Sequence, residues 1–137
     1  MIDYLERFDE SFARCVARNR GADFFESFYT RFMAADPIIA EKFASTDFVR
    51  QREMLSESLT EMRSFFTEHT RTPYLAVLGK VHGHNGRKIE AHLYDVWLVT
   101  LVQTVKEFDS EYDDQTGIAW RIVLAPGIEF MRSHYDR

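Results

Sequence analysis

The scarcity of helix-breaking residues is the feature that most constrains this chain. Its 137 residues include only six glycines and three prolines, and so few breakers favour long helices. Apolar residues recur three, four and seven positions apart along much of the sequence, which is typical of amphipathic helices. No alternating pattern is long enough for a strand, and no repeat or linker divides the chain. The sequence therefore predicts a single all-α domain over residues 1–137.

Periodicity places the helices, and local signals place their ends. Asp36-Pro37 closes the second helix, because a residue before proline is pushed out of the α region. Pro73 suits the first turn of another helix, and Pro126 predicts a kink in the last one. Residues 109–117 form an acidic connection whose end can already belong to that last helix. The first expected helix begins near Leu5 and ends near Asn19–Gly21. The other expected helical segments are approximately Phe25–Phe32, Ile38–Phe43, 48–68, Pro73–His82, Leu93–Phe108 and Ile118–Met131.

Charge and cysteine content exclude several classes of protein. The chain has 22 acidic and 17 basic residues, a net charge of −5, and no run of Lys or Arg. It therefore lacks the basic footprint of a nucleic-acid binder and is unsuited to an anionic membrane surface. Cys15, the single cysteine, lies on an apolar stripe and is predicted to be a core residue. The acidic N-terminus and the lack of an apolar run of about 20 residues predict a cytoplasmic protein.

Histidines are the candidate metal ligands. Leu75, Leu78 and His82 share a helix face, and an imidazole aimed at an apolar interior needs a strong partner. No second ligand stands at zinc spacing from His82, but one histidine suffices for a haem iron, because the macrocycle supplies the other four nitrogens. His84, which shares a face with two valines, is the competing candidate. We favour His82.

Two polar residues on apolar helix faces are candidate ligand contacts. Tyr29 lies among phenylalanines, and its hydroxyl either bonds to a backbone carbonyl in the core or points at a bound ligand. Gln51 shares a face with Leu55 and becomes a candidate ligand contact only if Tyr29 faces it.

Phosphate-binding loops, nucleophile elbows and zinc-protease motifs are absent from the sequence. The aromatic content of 15% suits either a core or the wall of a pocket for a large, flat, apolar group.

Together these residues resemble a globin, specifically the single-domain bacterial globins related to flavohaemoglobin haem domains. The resemblance covers nearly the whole chain, and the order and spacing of its parts agree with the family. The matching segments are Phe28–Phe32, Asp36-Pro37, Phe43, Gln51–Leu55, Leu78–His82, Tyr94–Leu98 and Ala119–Trp120.

This resemblance implies a globin fold of six to eight helices around a haem b. It makes His82 the axial ligand of the iron, and it makes Tyr29 and Gln51 the distal hydrogen-bonding pair. Further haem contacts implied by the resemblance are Phe25, Phe28, Phe43 and Leu55 on the distal side, and Leu78, Tyr94 and Trp97 on the other side or in the core beneath it.

Departures from the family pattern keep alternatives open. His82 is further from Tyr94 than the family's spacing, and His84 restores that spacing. Tyr135 stands where flavohaemoglobins carry a glutamate that supports the proximal histidine, which weakens a peroxidase-like interpretation.

The resemblance implies reversible binding of O₂, and of NO or CO, at the iron. One alternative is an NO dioxygenase or peroxidase-type enzyme served by a separate reductase, since no reductase domain follows Arg137 in this sequence. Another is a haem-free sensor or interaction module with the same fold.

Overall fold

The computed structural model describes residues 2–17, 21–68 and 89–133, and it is helical without strands over these ranges. The predicted all-α class is therefore confirmed. The segment expected to form a helix from Pro73 to His82 lies outside the described residues. The helices in the described ranges are α1 (Tyr4–Val16), α2 (Gly21–Ala35), α3 (Pro37–Lys42), α4 (Phe48–Glu68), α5 (Ala91–Phe108) and α6 (Asp114–Arg132). None of these six helices is both long and apolar enough to cross a membrane.

Aspartate side chains fix the starts of four helices. Asp3 caps α1 and Asp36 caps α3, each by accepting a hydrogen bond from a backbone N–H in the first turn. Asp113 does the same for α6. Asp47 accepts bonds from the first backbone N–H groups of α4, and its carbonyl accepts the N–H of Gln51 at 3.0 Å. This cap places Gln51 one turn into α4.

The core forms where α6 packs between α1 and α4, and where α2 packs against α5. Trp120 is fully buried and packs against Phe8 at 4.6 Å and Phe12 at 5.9 Å between ring centroids. Cys15 is also fully buried, as predicted from its apolar stripe. Gly127 brings α6 close to α4, because a Cβ there would lie 2.6 Å from Cγ of Met62.

A buried polar network joins α1, the end of α5 and α6. Asp109, only 3% exposed, accepts bonds from the Ser11 hydroxyl at 2.6 Å and from Arg14 Nε at 2.5 Å. It also accepts from Arg14 Nη2 and from the backbone N–H of Glu111. The Trp120 indole N–H donates to Ser11 Oγ at 2.9 Å. Burial raises the pKa of Asp109, but these bonds to its ionised form outweigh burial and hold the pKa below its ordinary value.

Candidate functional site

An apolar pocket lies between two groups of helices. The first group is α2, α3 and α4, and the second is α5 and α6. It holds about 790 Å³ of space not filled by atoms, the part open to solvent included. The described residues that line it are Tyr29, Phe32, Ile39, Lys42, Phe43, Gln51, Met54, Leu55, Ser58, Met62, Ile89, Leu93, Tyr94, Trp97, Ile128 and Met131.

Tyr29 and Gln51 form a reciprocal pair in this pocket. The Tyr29 hydroxyl donates to the backbone carbonyl oxygen of Gln51 at 3.3 Å, and the side-chain Nε2 of Gln51 donates to the same hydroxyl at 3.2 Å. Tyr29 is 5% exposed, so its hydroxyl is held well inside the protein. The sequence made Gln51 a candidate ligand contact only if Tyr29 faced it. In the structure Tyr29 does face Gln51.

Aromatic rings fix the position of Tyr29. Its ring meets Phe43 at 5.9 Å and Phe48 at 5.8 Å, both edge-on. Phe32, one turn further along α2, meets Phe43 at 6.2 Å. Edge-to-face aromatic contacts are favourable beyond the area they bury. The short α3 segment therefore delivers Phe43 to the pocket as part of a rigid cluster.

A second tyrosine lies in the wall that α5 and α6 contribute. Tyr94, 7% exposed, lines the pocket beside Leu93, Trp97, Ile128 and Met131. Its hydroxyl has no hydrogen-bond partner among the described residues. Burial raises the pKa of Tyr94 to about 12, although nearby Arg132 opposes the shift. The phenol is therefore protonated at neutral pH.

The structure brings together most of the predicted site residues that it describes. Phe25 and Phe28 are the exceptions, because both are buried in the core and neither is among the described side chains that line the pocket. Phe28 packs instead against Trp97 at 6.0 Å, and Phe25 against Phe24 at 5.3 Å. Leu78, His82 and His84 lie outside the described residues. The predicted residues found in the pocket are Tyr29, Phe43, Gln51, Leu55, Tyr94 and Trp97.

Sequence reasoning missed other residues of the pocket wall. On α4, Met54, Ser58 and Met62 continue the face that Gln51 and Leu55 begin, and helical spacing could have identified them. The wall also includes residues that no local pattern distinguishes from core, because they meet the pocket only through packing of separate helices. These are Phe32, Ile39, Lys42, Ile89, Leu93, Ile128 and Met131.

A comparison with solved structures finds a protein of Pseudomonas aeruginosa PAO1 whose crystal structure is described as highly homologous to a human hemoglobin. The two chains are 33% identical, the match covers 97% of this chain and 98% of the other, and the TM-score is 0.89. This chain belongs to the globin family. Neither a protein-family model nor a curated protein sequence matches this globin.

Haem is the cofactor that the globin family implies, and the described residues fit it. The pocket is walled mainly by aliphatic, thioether and aromatic side chains, as a large, flat, apolar group requires. Its polar groups are few, and one of them, the Tyr94 hydroxyl, is buried without a partner among the described residues. A buried polar group left unpaired is costly, so a pocket of this kind suits an occupant that brings an acceptor.

Proposed function

We propose that residues 1–137 form one globin domain that binds haem b and reversibly binds O₂ or another diatomic ligand. The observation that carries the proposal is the reciprocal Tyr29–Gln51 pair in an otherwise apolar pocket. A phenol donor held by a second polar side chain is suited to a small polar guest. The 33% identical relative described as homologous to hemoglobin supports the same proposal.

In this proposal Phe43, Leu55 and Trp97 would contact the haem, and His82 would ligate its iron, with His84 as the alternative ligand. Haem would supply an iron atom with an open position for a diatomic ligand.

The chain's own contribution on the Tyr29 side is a positioned hydrogen-bond donor in a mainly apolar pocket. The Tyr29 hydroxyl would donate a hydrogen bond to the diatomic ligand, and Gln51 would hold the phenol in place through its side-chain amide N–H. A guest that gains partial negative charge accepts a stronger bond than a less polar guest does. The pair is therefore expected to stabilise bound O₂ more than bound CO.

Replacing Tyr29 with Phe tests this role. A hydrogen bond to a charged group contributes about 1.5–3 kcal/mol, so Tyr29→Phe should speed O₂ release roughly 10- to 100-fold. CO release should change much less, since CO is a poorer acceptor. Stopped-flow measurement of both ligands gives the two rates.

Tyr4→Phe is the matched control, because the Tyr4 hydroxyl contacts Gln115 at 3.4 Å and is not part of the pocket. An unchanged O₂ release rate in Tyr29→Phe would show that this hydroxyl does not contact the guest.

Two alanine variants test the axial ligand. His82→Ala should abolish stable haem retention or give a site that added imidazole restores, whereas His84→Ala should keep the Soret spectrum of the wild type. Absorption spectra of the purified variants measure both. The reverse result would assign the iron to His84, and a wild-type protein without a Soret band after reconstitution would contradict the proposed function.

A further inference from the structure

The Tyr94 hydroxyl is a buried donor for which the described residues provide no acceptor. Within residues 2–17, 21–68 and 89–133, the other such side-chain atom is Nε of Arg132. That guanidinium is already compensated, because its Nη2 lies 2.5 Å from Asp95 and its Nε lies 3.6 Å from Glu129. Tyr94 has no comparable compensation.

The wall that α5 and α6 contribute to the pocket is poor in hydrogen-bond acceptors. Besides Tyr94, its described residues are Leu93, Trp97, Ile128 and Met131, and these side chains offer no acceptor stronger than a thioether sulfur. Arg132 lies close enough to Tyr94 to oppose the rise in its pKa, but a guanidinium is a donor only. No residue that the structure describes supplies the acceptor, which leaves this role open to an occupant of the pocket.

Tyr29 provides the internal reference. It lines the same pocket and is buried to a similar extent, 5% exposed against 7% for Tyr94. Its hydroxyl, however, both donates to and accepts from Gln51. Removing the Tyr29 hydroxyl breaks bonds in the empty protein, whereas removing the Tyr94 hydroxyl breaks none that the described residues make.

We propose that the Tyr94 hydroxyl is a binding group for the occupied pocket, donating a hydrogen bond to an acceptor that becomes available only when haem is bound. The inference rests on the function proposed above and adds a residue-level role to it. Tyr94 then lowers the stability of the empty protein and raises that of the loaded one. Because the phenol is protonated at neutral pH, it acts as a donor throughout the physiological range.

Tyr94→Phe and Tyr29→Phe, each measured with and without haem, test the inference. In the haem-free full-length protein, Tyr94→Phe should raise the melting temperature, because it removes an unpaired buried hydroxyl. Tyr29→Phe should lower it, because Gln51 loses its partner. In the loaded protein, Tyr94→Phe should speed haem transfer to a scavenger protein by roughly 2- to 10-fold, the value of one neutral hydrogen bond.

The outcomes separate the inference from the proposed function. A lower melting temperature for haem-free Tyr94→Phe would overturn the inference, because it would show that water or protein already satisfies the hydroxyl in the empty pocket. An unchanged rate of haem transfer would also overturn it, while a normal Soret band left the proposed function intact. A wild-type protein with no Soret band would overturn both.

Discussion

Helix α5 has a buried polar group near each end, Tyr94 in its first turn and Asp109 at its C-terminal cap. Asp109 accepts four hydrogen bonds, from Ser11, from two nitrogens of Arg14 and from the Glu111 backbone. Tyr94 makes none with the described residues. The two groups are carried by one helix and are both at least nine-tenths buried, yet the described residues satisfy only one of them.

This difference separates a supporting region from a binding region. Around Asp109, polar atoms of α1, α5 and α6 complete one another, and fully satisfied networks make a fold rigid and specific. Around Tyr94, the helices leave space and an unpaired donor. Buried polar groups in native proteins are almost always paired, and in our proposal the occupant of the pocket supplies the partner of Tyr94.

Removing Asp109 should have the largest effect on stability. Asp109→Ala leaves Arg14 without its main partner and the Ser11 hydroxyl without an acceptor, and breaking one side of a buried pair is strongly destabilising. We expect the free energy of unfolding in urea to fall by about 3 kcal/mol, with haem release unchanged. Glu111→Ala is the control, because this 73% exposed side chain lies 3.6 Å from Arg14 and should cost no more than about 0.5 kcal/mol. Faster haem release in Asp109→Ala would show that the two regions are coupled.

The pH dependence of unfolding provides a second test of the stabilisation by Asp109. The pKa of Asp109 is lower in the folded protein than its ordinary value of 3.8, so the unfolded chain binds its proton first as the pH falls. The stabilisation is therefore complete above about pH 4 and is lost as the pH drops through the folded-state pKa. Asp109→Asn lacks this contribution at every pH. Its urea midpoint should approach that of the wild type in acid, and parallel curves would contradict the assignment.

Two glycines of α6 give a smaller and more local comparison. In Gly127→Ala the new methyl would lie 2.6 Å from Cγ of Met62, a pocket residue on α4, so the Met62 side chain or the helices themselves must shift. We expect overpacking to cost about 1–3 kcal/mol and haem release to change as well. In Gly117→Ala the methyl meets the hydroxyl of Tyr112, a partly exposed ring that can shift, and better helix propensity offsets the contact.

Urea unfolding and haem transfer should therefore both change in Gly127→Ala and hardly change in Gly117→Ala. Equal haem transfer in the two variants would show that Met62 moves without altering the pocket.

The helices that the structure describes were predictable because each depends on local information. Apolar spacing and aspartate caps set their bounds, and α6 begins at Asp114 within the acidic connection, as the sequence allowed. The sequence did not predict which aromatic side chains of α2 face the pocket and which pack in the core. Tyr29 faces the pocket while Phe28 packs on Trp97, because a step of one residue turns a side chain about 100° around the helix.

Contacts between distant segments mark the limit of sequence reasoning here. The Tyr29–Gln51 pair was anticipated through the globin resemblance, since nothing in the spacing of residues 29 and 51 requires them to meet. Asp109, treated in the sequence as part of a polar connection, is 3% exposed. Its burial depends on Arg14 and Ser11, about a hundred residues earlier, which no local pattern connects to it.

The bond geometry of Tyr29 has a consequence for how fast a guest can be received. Its hydroxyl hydrogen is directed to the backbone carbonyl of Gln51 over a long 3.3 Å separation, while the side-chain amide of Gln51 donates a hydrogen bond to the hydroxyl oxygen. Offering that proton to a neighbouring molecule requires only rotation about the bond between the ring and the oxygen. The oxygen, the ring and Gln51 can all keep their places. At Tyr29, therefore, forming or breaking a hydrogen bond to a bound ligand requires only reorientation of the hydroxyl hydrogen and no movement of side chains.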